Sequence, residues 1–219
     1  LDDCGYDFVF LDMEHSGVGI ETIRAQVAFA RGLGIEPWVR VPEKSYAAVA
    51  SALDAGVRGV MVPMLETEAE AEALVEWARY RPEGRRGLAF GRDPIAAMAA
   101  ANAGITLVPL LETRRGIERC EAIMAVPGID LGWLGHFDLT NDMGITGQFE
   151  HADFLAAAER LAAAAASAGK TCGLMDSDPA LLGAMARRGF RARGYGSDVA
   201  VLKRGYAQGL ATLRSLPAA

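Results

Sequence analysis

A chain of 219 residues with 51% apolar content is long enough to bury one sizeable core, and α/β barrels of this length are routinely single domains. A net charge of −6 and a pI near 5.2 exclude the clustered basic face that nucleic acid requires. No apolar run approaches the roughly 18 residues of a membrane-spanning helix, since the Ala-rich stretch from Leu155 to Ala168 is broken by Glu159 and Arg160.

Strand and helix patterns alternate along the chain. Strands are predicted at Phe8–Asp12, Pro37–Val41, Gly59–Pro63, Thr106–Leu111, Leu131–Gly135, Cys172–Asp176 and Phe190–Tyr195. Helices are predicted at Ile20–Leu33, Ser45–Ala55, Glu68–Ala78, Arg115–Ala125, Phe154–Ala168 and Pro179–Arg188, several ending near a glycine such as Gly34, Gly56, Gly169 or Gly189. Repeated β-α units imply a parallel sheet with right-handed crossovers. A closed (β/α)8 TIM barrel needs eight strands, so the first strand is expected upstream of residue 1. The chain opens at Leu1 without methionine or a signal-like core, which agrees with missing upstream residues. An open doubly wound sheet is the alternative, but no G-x-G-x-x-G follows the first strand, and there is no Walker A sequence.

Acids gather where apolar strands run out into loops. Glu112 follows Ile105–Leu111, Asp138 follows Leu131–Gly135, and Asp12 and Glu14 end the first strand with His15 beside them. Helix capping would account for any one of them. Two acids at the same end of neighbouring strands also suit a shared divalent cation, because hard cations prefer oxygen ligands. Arg40 ends Trp38–Arg40, and a buried guanidinium needs an anionic partner, either a structural acid or a substrate carboxylate or developing enolate. His15, followed by Gly17 and Gly19, reads as part of a tight polar loop; His136 could line the same pocket, and His151 belongs to a solvated connection. Asp176 and Asp198 also end strands. Arg79, Arg81, Arg85 and Arg86 are interleaved with acids and read as a solvated loop. Cys4, Cys120 and Cys172 are far apart and form no C-x-x-C, so a zinc knuckle or disulfide framework is excluded and a reducing cytoplasm is expected.

Leu11-Asp12-Met13-Glu14-His15, Val39-Arg40-Val41-Pro42, Leu53-Asp54-Ala55-Gly56, Val62-Pro63-Met64, Arg81-Pro82-Glu83-Gly84-Arg85-Arg86-Gly87, Glu112-Thr113, Val126-Pro127-Gly128-Ile129-Asp130 and Gly135-x-x-Asp138-Leu139-Thr140 occur in this order. Together they resemble the HpcH/HpaI family of metal-dependent class II pyruvate aldolases. The resemblance covers nearly the whole chain and implies a TIM barrel over 1–219. It implies a divalent metal ligated by Glu112 and Asp138, Mg²⁺ or Mn²⁺ first and Co²⁺ or Zn²⁺ as possible substitutes. It further implies His15 and Arg40 as catalytic residues, Asp12 beside the histidine, and Asp54 as an acid associated with the active site near a subunit interface. The expected assembly is a homo-hexamer, with the C-terminal segment Val199–Leu216 packing on a neighbour. Two departures stand out: Leu110 occupies the place of a glutamine two residues before the metal-binding glutamate, and Gly135-His136 replaces Gly-Pro. The segment 87–110 is also several residues short.

The implied reaction is reversible aldol cleavage of a 4-hydroxy-2-oxo acid to pyruvate, or a related 2-oxo acid, and an aldehyde. His15 would take the C4 hydroxyl proton with Asp12 or Asp54 holding its ring. Schiff-base chemistry needs a desolvated lysine, and neither Lys44, Lys170 nor Lys203 ends an apolar strand. Decarboxylation of oxaloacetate and a catalytically idle 2-oxo-acid-binding barrel are the alternatives.

Overall fold

The computed structural model describes residues 2–88 and 95–217. In chain order the elements are β1 (Phe8–Asp12), α1 (Ile20–Ala30), β2 (Glu36–Arg40), α2 (Tyr46–Ala55), β3 (Gly59–Val62), α3 (Glu68–Ala78), α4 (Ile95–Ala103), β4 (Thr106–Leu111), α5 (Arg114–Glu118), α6 (Cys120–Ala125), β5 (Leu131–Leu134), α7 (His136–Asp142), α8 (Ala152–Ser167), β6 (Thr171–Asp176), α9 (Pro179–Arg187), β7 (Phe190–Tyr195) and α10 (Asp198–Ser215). All seven predicted strands are present, within a residue at either end. They form one parallel sheet in sequential order from β1 to β7.

The sheet is curled. Strands four places apart in a flat sheet would lie about 19 Å from one another, yet the Phe10 ring of β1 stands 4.9 Å from the Trp133 ring of β5. Trp38, Met61, Val108, Leu110, Leu131 and Trp133 fill the concave side together with Phe8 and Phe10. Gly59 makes room for this filling, because a Cβ there would collide with the Trp38 ring. The opposite residues of the same strands, including Val39, Val60, Leu107, Leu111 and Leu134, pack under the helices in the main core.

The closed eight-stranded barrel is not what the described residues form. Among the described residues no strand joins β1 to β7, and both edge strands remain largely half-exposed where the central ones are buried. The architecture is a seven-stranded, TIM-like half-barrel. Other differences are local. The helix predicted over Arg115–Ala125 is broken at Arg119 into α5 and α6. Unpredicted α4 falls in the shortened 87–110 segment, of which residues 89–94 lie outside the described residues. The arginine loop is not uniformly solvated. Arg79 is buried beside Asp130 and donates to the Ile105 and Gly128 carbonyls, and Arg86 is buried against Asp54 at 2.6 Å and over the Tyr80 ring. Both guanidiniums found acids that sequence separation had hidden. The three cysteines are free, Cys120 and Cys172 buried. Among the described residues no helix is long and apolar enough to cross a membrane. α10 has no buried residue and leaves Val199, Leu202, Tyr206, Leu213 and the following Leu216 exposed.

Candidate active site

Period-two alternation decides what meets at the carboxyl ends of the strands. β1 sends Phe8, Phe10 and then Asp12 to the concave side, β2 sends Trp38 and then Arg40, and β4 sends Val108, Leu110 and then Glu112. Each apolar series therefore ends in a charge, and these charges crown the aromatic filling.

Asp12 and Arg40 are register partners across β1 and β2. The Arg40 Nε and Nη2 donate to the two Asp12 oxygens, each at 2.8 Å, the bidentate fork that guanidinium and carboxylate favour. Its Nη1 lies 3.2 Å from Glu14. Burial pushes the Arg40 pKa down, but the bond and charge of Asp12, with Glu14 and Glu112, reverse this and raise it. Burial likewise pushes Asp12 up, and Arg40 plus the backbone N–H groups of Glu14 and His15 hold it below the usual range. Both groups are locked in their charged forms.

Glu112 has a different environment. It is 4% exposed, and its Oε1 accepts the Met64 N–H at 2.8 Å. Met64 holds a left-handed backbone, φ 54°. Burial pushes the Glu112 carboxyl up; the Met64 bond pulls it down; Asp138 and Glu14 push it up, Arg40 pulls it down, and the balance lies at about 7. Gly135 permits this closeness, since a Cβ there would stand 2.5 Å from the Glu112 Cβ. Asp138 lies in the first turn of α7 rather than in the expected loop, is exposed, and has no hydrogen-bond or ion-pair partner among the described residues.

His15 is exposed, its ring 3.8 Å from the Glu14 carboxylate. Its neighbouring acid is thus Glu14, because Asp12 spends its oxygens on Arg40 and backbone groups. Asp54 is not brought into this cluster. It sits in the last turn of α2, which returns the chain to the amino ends of the strands, and there it holds Arg86. Leu110 is buried beside Trp133 and packs close to Gly135, so the layer under Glu112 is apolar at the position where the resembled family carries glutamine. Sequence reading also left unassigned the pair His136 and Asp176, joined at 2.8 Å; burial pushes the imidazole pKa down, partly offset by Asp176. Its signal was present, since Asp176 ends β6 and His136 follows just past the end of β5, the strand beside it.

Among the described residues no cluster of three or more His, Cys, Asp and Glu side chains suits a metal. Glu112 and Asp138 nevertheless fit a divalent cation as a pair. They are all-oxygen donors, they repel one another, and the buried one has no basic group bonded to it. Magnesium and manganese commonly use one or two carboxylates and keep water or substrate oxygens in their other positions.

Residues 2–204 match the model of the HpcH/HpaI aldolase/citrate lyase family. The chain belongs to this family. A hydroxypyruvate/pyruvate aldolase of Roseovarius nubinhibens is 34% identical over 222 residues, covering 98% of this chain and 86% of the relative. A 5-keto-4-deoxy-D-glucarate aldolase of Salmonella arizonae is 32% identical over 92% of this chain and 81% of its own. The crystal structure of a family member from Burkholderia cenocepacia superposes with a TM-score of 0.91 at 33% identity, covering 98% of this chain and 88% of that one. The chain is a carbon–carbon lyase of the aldolase type.

Proposed function

We propose that the chain cleaves a 4-hydroxy-2-oxo acid reversibly to pyruvate, or a related 2-oxo acid, and an aldehyde, with a divalent cation, Mg²⁺ or Mn²⁺, held by Glu112 and Asp138. The observation that carries this reading is the Glu112 carboxyl, buried without a bonded basic group among the described residues and pushed up by burial and by Asp138, within electrostatic reach of the locked Arg40. A bound divalent cation supplies Lewis-acid polarisation of the 2-oxo group.

The residues of the chain do the rest. Arg40, immobilised by Asp12 and Glu14, presents a fixed positive charge to the oxygen that becomes an enolate, so no reorganisation is needed as charge develops. His15 takes the C4 hydroxyl proton, with Glu14 as the acid beside its ring. The apolar layer of Leu110, Trp133 and Phe10 closes the floor and keeps water from the enolate carbon. Asp54, at the other end of its own barrel, serves a site only across an interface, which agrees with a proposed homo-oligomer in which the exposed apolar residues of α10 pack on another copy.

Pyruvate release from a panel of 4-hydroxy-2-oxo acids, measured with and without Mn²⁺ and after chelation, tests the reading. Cation-dependent cleavage of at least one member is expected. Release of CO₂ from oxaloacetate with no cleavage of any panel member would replace the aldolase by a decarboxylase.

A further inference from the structure

His136 opens α7 directly after β5, and Asp176 closes β6, the next strand of the sheet. The ring Nε2 and the Asp176 Oδ2 are 2.8 Å apart, with side chains only 8% and 12% exposed. Asp176 is itself fixed. Its other oxygen accepts the Asp178 N–H at 2.6 Å, and its carbonyl accepts the Gly196 N–H at 3.0 Å. On the α7 side the imidazole packs against the Phe137 and Phe149 rings at 4.6 and 4.8 Å. Two residues further along the same turn stands Asp138, whose carboxylate no described residue holds.

Among the described residues, the other tie on the entry to α7 is the Gly135 N–H to the Leu111 carbonyl. That bond fixes where the turn begins. Further along α7, Leu139 and Thr140 are buried and the Asp142 carboxylate accepts the Arg114 N–H at 2.7 Å. The His136–Asp176 bond adds a restraint at the first residue of the turn, two positions from Asp138.

We propose that the His136–Asp176 hydrogen bond is a positioning latch, which sets the first turn of α7 so that Asp138 is aimed at Glu112. The inference rests on the reading of Glu112 and Asp138 as cation ligands. His136 and Asp176 touch neither cation nor substrate; they act through Asp138. Groups that orient metal ligands in this way typically contribute about 10- to 100-fold in metal affinity.

The test is Mn²⁺ affinity by titration calorimetry of the full chain, with metal-free thermal melting in parallel. His136→Ala and Asp176→Ala should each weaken Mn²⁺ binding about tenfold. The double variant should bind no worse than the weaker single one, because losing either partner already opens the latch. Asp176→Asn should bind Mn²⁺ near the wild-type level, since its amide oxygen can accept the Asp178 N–H while its amide N–H donates to the other imidazole tautomer. Should an alanine variant fail to fold, His136→Phe, which keeps a ring against Phe137 and Phe149 without a donor, carries the same comparison against Asp176→Asn. Wild-type affinity in variants that merely melt earlier would overturn the latch. So would losses that multiply in the double variant. Glu112→Ala separates the two levels of the argument. If it abolishes binding while His136→Ala and Asp176→Ala leave it intact, only the latch fails. If Glu112→Ala binds as wild type, the site and the latch fail together.

Discussion

At the ends of β1 and β2, Asp12, Glu14 and Arg40 form a network in which every charge has a partner at hydrogen-bond or ion-pair distance. At the ends of β4 and β5, Glu112 and Asp138 share no basic partner among the described residues, and from these the buried carboxylate receives a single backbone N–H. Both regions crown the same aromatic filling, but Asp12, Glu14 and Arg40 are half-buried while Glu112 is buried and Asp138 exposed. The first sets each charge opposite a partner in a fixed geometry; the second crowds two carboxyl groups, whose mutual repulsion a bound cation would relieve. A site that must keep one charge rigid and accept another from solution needs both arrangements side by side.

The largest effect is expected at His15. His15→Ala should slow aldol cleavage by about 10²–10⁴ while leaving Mn²⁺ affinity and pyruvate binding near wild type, because the exposed imidazole belongs to neither network's cohesion. Kinetics on one active substrate, set beside His136→Ala, check this; a normal rate in His15→Ala would reassign the base. Arg40→Ala strikes the locked network itself. Loss of one such preorganised donor typically costs about 10²–10³ in rate, and Asp12 and Glu14 are left unpaired. The variant should still bind Mn²⁺, so solvent deuterium exchange into the pyruvate methyl group should fall sharply at saturating metal. Exchange at the wild-type rate would show that the guanidinium does not act on the enolate.

How much of this was readable beforehand differs between the two regions. The strands were legible because buried parallel strands are short apolar runs. Asp12, Arg40 and Glu112 were legible as strand-end charges because each interrupts such a run at one end, whereas Asp138 stands in the first turn of α7 rather than in the expected loop. The pairing was harder. Phe-x-Phe-x-Asp in β1 and Trp-x-Arg in β2 carry the alternation that points Asp12 and Arg40 to one face, yet only the register across the strands makes them meet. The environment of Glu112 was not legible, because it depends on Met64, 48 residues away, turning its N–H inward. Arg79 and Arg86 misled for the same reason, their acids Asp130 and Asp54 being distant in sequence. α4, Ile95–Ala103, escaped because a nearly uniform Ala-rich segment lacks the polar face that marks a helix.

The uncompensated region makes a prediction about stability. With Glu112 raised to about 7 from 4.5, the folded metal-free chain holds a proton that the unfolded chain has released across that interval. Stability must therefore fall as pH rises through it, by about 3 kcal/mol for this group. Glu112→Gln removes the titration. Urea midpoints in the presence of a chelator should drop from pH 5 to pH 8 more in the wild type than in Glu112→Gln, and saturating Mn²⁺ should restore only the wild type. Identical pH profiles would mean that the carboxylate is already neutralised by something other than a cation.

The smallest effect is expected at Met64, whose N–H is the hydrogen-bond donor on Glu112 among the described residues. Met64 adopts φ 54°, a left-handed conformation costing a residue with a side chain about 1–2 kcal/mol, and in doing so it directs its N–H to Oε1. Its carbonyl is held at the same time by Lys44 Nζ at 2.7 Å. The strain is thus maintained from both sides of one residue, and its chemical product is the single donor on the buried carboxylate. Glycine adopts this conformation without the Cβ clash but gains freedom in the unfolded chain. Met64→Gly should accordingly change metal-free stability by less than about 1 kcal/mol and leave Mn²⁺ affinity intact, whereas Met64→Val, β-branched at a left-handed position, should lose about 1–2 kcal/mol and weaken the cation site with it. Melting curves and Mn²⁺ titrations of the two variants read both quantities. If Met64→Val binds Mn²⁺ as tightly as Met64→Gly, the Met64 N–H does not hold Glu112 in place, and the carboxylate is positioned by Gly135 and the strand end alone.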